Sequence, residues 1–270
     1  MPLKTNSIID AKQSNALVGV IAGDNLFTYI LARNALSKFK ISSVVLSDYN
    51  SGSVKNIYSI FKKTSLPYFC YRSAVQIISK IYSNFSIKKW ARKNDVSIFS
   101  AKSKKELSDN KKSNEITIAF NFDIIVPTDF IKQSKLGVLN IHASNIPSDR
   151  GISPVVWSYC RGDNKLCITY YLMDGGIDTG KILKKTWVEI KKEWSLFRTY
   201  CEVLDLASKE LIDVVEATMN NSNNVSAVKD DSESSYNSWP DAKLHKLLKK
   251  SNRSYFHLSD FAYLNKLLKS

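Results

Sequence analysis

Asn140 and His142 stand two residues apart at the end of an apolar run, Gly137-Val-Leu-Asn-Ile-His. Asp178 stands in a glycine-rich turn, Met173-Asp-Gly-Gly-Ile-Asp-Thr-Gly180, that comes after a second apolar run. An amide, an imidazole and a carboxylate delivered by two strands suit the attack of an amine on an acyl carbon. That attack creates an oxyanion, which needs fixed donors aimed at it, and the Asn140 amide and a protonated His142 are such donors. The attacking nitrogen must lose a proton and the leaving nitrogen must gain one. His142 suits that transfer because an unperturbed imidazole titrates near 6.5. Asp178 would orient and charge-stabilise the imidazole, or take the amine proton through water. Each of the three alone reads more readily as a turn cap or a satisfied structural residue; the three together, in a Gly/Pro context, favour chemistry.

The elements that must position these groups are legible in hydrophobic patterning. Leu17–Ala22, Ile41–Leu46, Val96–Phe99, Ile116–Phe120, Gly137–Asn140, Leu166–Met173 and Ile182–Ile190 read as strands, several of them continuous apolar runs of the kind buried in parallel sheets. Helical spacing occurs after Gly23-Asp24-Asn25, around Val75, Ile78 and Ile81, over Ile87–Arg92, Pro127–Gln133 and Pro154–Cys160, and from Ser195 through Val214. Ser100–Asn114 is polar and Lys-rich, a solvated helix or loop. The spacing predicts an α/β, Rossmann-like fold: a mostly parallel twisted sheet with helices on both faces, plus a small C-terminal appendage. G-x-G-x-x-G is absent, so a dinucleotide is not expected. The boundary is set at residue 190, with a catalytic unit over 1–190 and a helix, linker and appendage over 191–270. Asn220–Ser226 is the linker, and Lys243–Lys250 and Phe261–Leu268 give two further helical stripes, through Leu244, Leu247 and Leu248 and through Phe261, Leu264 and Leu268.

The motif Asn140-x-His142-x-Ser144-x-x-Pro147-x-x-Arg150-Gly151, then Met173-Asp174-x-Gly176-Ile177-Asp178-Thr179-Gly180, resembles the signature of the 10-formyltetrahydrofolate-dependent formyltransferases. The resemblance is strong from Ile116 to Leu183 and faint beyond the helix after Trp194. Ala143 and Ile146 depart from the usual residues without touching the chemistry. It implies that Asn140, His142 and Asp178 are catalytic, that 10-formyltetrahydrofolate is the formyl donor and co-substrate, and that no metal is required. It also implies that the loop after Phe120 wraps the pterin, with Phe122, Ile124, Ile125, Asp174 and Gly176 as cofactor-binding residues. Ordinary core packing accounts equally well for the three apolar ones.

Among relatives, the resemblance is greatest to the sugar N-formyltransferases, which act on a nucleotide-linked amino sugar. A dTDP-4-amino-4,6-dideoxy sugar for surface polysaccharide synthesis is the expected acceptor. A methionyl-tRNA formyltransferase-like enzyme is the alternative; the segment after Ile190 begins with a helix rather than a tRNA-gripping barrel, which argues against it. A catalytically silent folate- or nucleotide-binding paralogue is the other alternative, and the intact Asn140, His142 and Asp178 argue against that. The acceptor's base needs an aromatic face, for which Tyr236 and Trp239 are candidates, and its phosphates need cations, for which Arg150 and Lys243 are candidates. Packing of the appendage explains the two aromatics as well.

Composition sets the outer bounds. The 270 residues carry a net charge of +14, a field that concentrates anionic ligands. The lysines are dispersed in pairs, Lys62-Lys63, Lys88-Lys89, Lys111-Lys112, Lys184-Lys185 and Lys191-Lys192, which argues against a nucleic-acid groove. No apolar run is long enough for a membrane span, and Met1–Ser7 lacks a signal-peptide core. Cys70, Cys160, Cys167 and Cys201 lack metal or redox spacing. A cytoplasmic enzyme with folate and a nucleotide-linked amino sugar as partners, and with a homodimer admitted, is the expectation.

Overall fold

The computed structural model describes residues 16–48, 64–110, 112–220, 228, 230 and 232–269. Asn220 apart, the expected Asn/Ser linker lies outside these residues, as do Lys62, Lys63, Lys111 and Met1–Ser7.

Seven strands form one sheet: β1 (Val18–Ala22), β2 (Ile41–Ser47), β3 (Ser97–Ala101), β4 (Ile116–Phe120), β5 (Val138–His142), β7 (Lys165–Leu172) and β8 (Lys181–Glu189), in the order β3-β2-β1-β4-β5-β7-β8. The first five strands pair in parallel; β7 runs antiparallel to β5, and β8 antiparallel to β7. A two-residue strand β6 (Arg150–Gly151) pairs in parallel with β9 (Tyr236–Asn237) in a second, small sheet. This is a mostly parallel, Rossmann-like sheet with helices around it.

Alternation along the strands sorts the apolar residues into two layers. Val18, Val20, Val44, Ile118, Leu139 and Ile141 join the larger core, beneath α1 (Leu26–Lys38) and α7 (Leu196–Asn220). Ile21, Val45, Ala119 and Val138 join a smaller one on the opposite face, beneath α4 (Lys104–Asp109) and α5 (Thr128–Ile131). Asn25 caps α1 by accepting the Thr28 N–H at 3.0 Å, a contact worth about 1 kcal/mol. The Arg33–Asp205 pair, with Lys209 at 2.8 Å from the same carboxylate, fastens α1 to α7.

Four helices sharpen or depart from the sequence reading. The helix expected around Val75 begins earlier, as α2 (Leu66–Ile81), because Tyr68 and Tyr71 bury one turn apart in its first half. Within Ser100–Asn114, α4 forms on a capped N-terminus: Ser103 accepts the Glu106 N–H at 3.2 Å, and the Glu106 carboxylate reaches past the cap to accept the Lys102 N–H at 3.0 Å. Leu107 anchors it, fully buried. In the tail, α8 (Ala242–Lys250) buries Leu244 and Leu248 but exposes Leu247, and α9 (Ser259–Leu267) buries Leu264 and Leu267 but exposes Phe261. The remaining helices are α3 (Ile87–Lys93) and α6 (Pro154–Arg161). No helix among the described residues is long and apolar enough to cross a membrane.

Candidate active site

Asn140 and His142 share one face of β5, because they are two residues apart. That face is the one opposite α7. Tyr170, on β7, points the other way and bonds Glu210 Oε2 of α7 at 3.1 Å. Tyr171 lies directly across from Asn140 and therefore shares its face. Since β5 and β7 are antiparallel, their carboxyl ends point in opposite directions, and strand ends alone do not bring Asp178 to His142. The turn after β7 does so by folding back over the sheet. Gly180 permits the fold-back: a Cβ there would fall 1.9 Å from the Leu172 carbonyl oxygen. Asp174 braces the turn, accepting the Gly176 N–H at 2.9 Å and the Thr179 hydroxyl at 2.8 Å. Asp178 itself adopts a left-handed backbone conformation, φ 53°.

The three groups converge. Asn140 Nδ2 donates to the Tyr171 hydroxyl at 2.7 Å, and that hydroxyl donates to Asp178 Oδ1 at 2.8 Å. Asp178 Oδ2 accepts the Gly151 N–H at 3.2 Å and lies 3.7 Å from His142 Nε2. His142 Nε2 is buried and has no hydrogen-bond partner among the described residues. A buried polar atom without a partner is costly, and facing a carboxylate beside an amide it is a candidate for a bond that a reacting group would complete. Burial is the largest influence on His142 and holds its pKa below 6.5, while the charges of Asp178 and Asp149 and the Asp149 backbone push it upward. The imidazole is therefore neutral near pH 7, a proton acceptor at rest rather than the protonated donor that the sequence reading allowed.

The loop from Ser144 to Arg150 is held by two neighbouring strands and by a bond of its own. Thr169 donates to the Ser144 carbonyl at 2.6 Å, Ser144 donates to the Asp149 carbonyl, and Lys185 of β8 donates to Asn145 Oδ1 at 2.6 Å. Lys185 also pairs with Asp230 and holds that carboxyl well below the usual carboxylate range. Tyr171, Lys185 and Asp230 escape sequence reasoning, since only the cross-strand register and the return of the tail bring them here.

Other candidates occupy two sides. On one, Ile124 is buried in the smaller core, Phe122 packs against that core, and Ile125 is 44% exposed. The helix α5 that follows their loop meets the aspartate turn at Gly175, where a Cβ would approach Thr128 Oγ1 to 2.7 Å. On the other side, Arg150 pairs in register with Tyr236. The Arg150 guanidinium bridges the Ile177 carbonyl, at 3.4 Å, and the Ser234 hydroxyl, at 2.5 Å, leaving its Nε buried without a partner among the described residues. Tyr236 is 53% exposed. Trp239, three residues on, is half-buried with the Arg72 guanidinium 5.2 Å from its ring centre. Ser153, two residues past Gly151, bonds the Tyr68 hydroxyl at 2.8 Å, which connects this wall to α2. Lys243 is exposed in the first turn of α8, its N–H capped by Asp241. Among the described residues, no group of three or more His, Cys, Asp or Glu is placed to hold a metal ion.

A Rossmann-like sheet carrying an amide, an imidazole and a carboxylate over one face defines a class of group-transfer fold. The formyl transferase family pattern matches residues 72–215, more than half of the chain, and the chain belongs to that family. It is 28% identical over 152 residues to the methionyl-tRNA formyltransferase of Rickettsia massiliae, covering 56% of this chain and 47% of that protein. It is 31% identical over 142 residues to the one from Legionella pneumophila, covering 50% and 45%. The chain thus spans about half the length of the curated relatives it matches. Among solved structures, a sugar 3N-formyl transferase crystallised with dTDP and 5-N-formyl-THF resembles it with a TM-score of 0.57 at 19% identity, over 83% of this chain and 70% of that one. An N-formyltransferase from Helicobacter canadensis, in complex with folinic acid and dTDP-3-aminofucose, does so with a TM-score of 0.56 at 18% identity, over 82% and 70%. At these identities the structural likeness establishes the fold.

Proposed function

We propose that this protein transfers the formyl group of 10-formyltetrahydrofolate to the amine of a nucleotide-linked amino sugar. The observation that carries the transfer chemistry is the buried His142 Nε2, without a hydrogen-bond partner among the described residues, 3.7 Å from Asp178 and on the same strand face as Asn140. The acceptor nitrogen attacks the formyl carbon, its carbonyl oxygen takes up negative charge, and the bond to the donor nitrogen breaks. The free Asn140 N–H stabilises that oxygen. His142, neutral at rest, accepts the proton released by the attacking amine and returns it to the leaving nitrogen. Asp178 stabilises the imidazolium between the two events. The Phe122–Val126 loop, Asp174 and Gly176 hold the folate.

The pairing of β6 with β9 supports the sugar acceptor: it sets Tyr236 beside Arg150, next to the Gly151 N–H that reaches Asp178. Tyr236 and Trp239 then offer aromatic surface for a base, and Arg150 and Lys243 offer charge for phosphates. Crystallised sugar N-formyltransferases of the same fold, bound to dTDP or a dTDP-sugar, agree with this reading. We assign the catalytic unit to residues 1–190 and the supporting helix and acceptor wall to 191–270. A dTDP-4-amino-4,6-dideoxy sugar made in the cytoplasm for surface polysaccharide is the acceptor we favour. The curated relatives support a second reading, with methionyl-tRNA as acceptor.

Purified protein, 10-formyltetrahydrofolate and a panel of nucleotide amino sugars, monitored by mass spectrometry, test the proposal. One sugar should gain one formyl group. Formylation of methionyl-tRNA alone, with tRNA binding that weakens steeply as salt rises, would favour the second reading.

A further inference from the structure

Tyr171 lies at the centre of the site, yet the transfer chemistry assigns it nothing. It is 1% exposed, so it does not meet a substrate directly, but its hydroxyl joins Asn140 to Asp178. The direction of the two bonds is fixed by what each group can do. An ionised carboxylate only accepts, so Tyr171 must donate to Asp178. Its oxygen then has only lone pairs left for Asn140, so Asn140 must present Nδ2 and not Oδ1. With Nδ2 turned to the tyrosine, its second N–H is directed away from it and remains available. Without this constraint, an amide can rotate by half a turn and place a carbonyl oxygen where a donor is needed.

We propose that Tyr171 is a positioning residue that uses the charge of Asp178 to hold the Asn140 amide in the orientation that offers an N–H to the developing oxyanion. This role rests on the formyl-transfer reading. Burial first, and then the charge of Asp178, push the phenol well above its usual range, so it keeps its proton throughout the working pH range. Phenylalanine would fill the same volume and leave Asn140 free to rotate.

Tyr171→Phe should lower kcat about tenfold and leave the KM of both substrates within about twofold, because the lost interaction acts in the transition state. In an Asn140→Ala background the same substitution should change kcat less than about twofold, since Tyr171 then has nothing to orient. A purely structural tyrosine would cost the same factor in both backgrounds, and that result, or full kcat in Tyr171→Phe, overturns the proposal. A second readout needs no activity. In ligand-free protein the Asn140 side-chain N–H pair, assigned by its loss in Asn140→Ala, should show one hydrogen-bonded proton that exchanges slowly with solvent. Tyr171→Phe should abolish that protection; unchanged protection overturns the proposal. Should Tyr171→Phe not fold, Asp178→Ala supplies the same test: with no carboxylate left to accept from it, the phenol can turn its proton to Asn140 Oδ1, and protection of the Asn140 pair should again fall. If the wild-type protein formylates no acceptor while Asn140 responds as expected, the functional reading fails and the positioning role stands.

Discussion

Asp178 and His142 face one another at 3.7 Å, a separation that leaves the carboxylate bonded to Tyr171 and Gly151 and the imidazole Nε2 bonded to none of the described residues. The pair is arranged to interact by charge once His142 gains a proton, and not to share a hydrogen bond beforehand. That suits a base which is neutral at rest and needs stabilising only after it has acted.

The first prediction comes from the direction of the His142 shift. Its folded pKa lies below 6.5, the value taken for the unfolded chain, so as pH falls the unfolded state takes up the proton first. The contribution of neutral His142 to stability is therefore complete above pH 6.5. It shrinks as pH falls toward the folded value and then levels off. Denaturation of wild type and His142→Gln between about pH 8 and 5 should show a difference in unfolding free energy that declines on the acid side. A difference that grows as pH falls would mean that Asp178 outweighs burial.

Direct transfer is the second. His142→Ala removes the proton acceptor and Asp178→Asn removes the charge opposite it, so each should cut kcat roughly a hundredfold or more. Circular dichroism should report a folded chain in both cases. Near-normal turnover by folded His142→Ala would remove the imidazole from the chemistry.

How much of this is legible in the chain varies residue by residue. Val18–Ala22 and Ile116–Phe120 are readable as central strands because both of their faces are buried and the runs are unbroken. The spacing of Asn140 and His142 places them on one strand face without any structure. Tyr171 is another matter: its meaning lies in facing Asn140 across an antiparallel pair, and register leaves no mark in the order of residues. Tyr68 and Tyr71 hide the start of α2, since aromatics at helical spacing read poorly beside Pro67. The two-residue strand Tyr236–Asn237 is shorter than any periodicity can reveal, and only its pairing with Arg150 makes it a strand.

A third prediction concerns Gly151. Its φ is +109°, and a Cβ there would lie 2.2 Å from the Asn237 carbonyl oxygen. Gly151→Ala must therefore move the β9 backbone away or leave the strained conformation, and a positive φ alone costs an ordinary residue about 1–2 kcal/mol. The same residue donates its N–H to Asp178. The variant should melt several degrees lower, raise KM for the acceptor and lower kcat together. An unchanged acceptor KM in the folded variant would separate the tail from acceptor binding.

The last prediction tests the aromatic wall. Tyr236 is half exposed and lies in register with Arg150, while Trp239 has one face covered by the Arg72 guanidinium. Under the proposed reading, a base arriving at this wall meets the open surface of Tyr236 and stacks beside Trp239, with Arg150 and Lys243 as the cations for its phosphates. Losing a stacked aromatic costs about 0.5–1.5 kcal/mol beyond the area buried, or roughly two- to tenfold in binding. That interaction is present in ground state and transition state alike, so its loss should register in KM for the nucleotide sugar and scarcely in kcat. The KM for 10-formyltetrahydrofolate should not move, because the Phe122–Val126 loop proposed to hold the folate leads into α5, whose Thr128 adjoins the aspartate turn at Gly175, and is not part of this wall. Steady-state kinetics of Tyr236→Ala and Trp239→Ala, with both substrates varied, separate the two sides. Trp239 also carries the packing of Arg72, so a fall in melting temperature is expected for Trp239→Ala and not for Tyr236→Ala. If both folded variants keep the wild-type KM for the nucleotide sugar, the tail only packs, and the base binds on another surface.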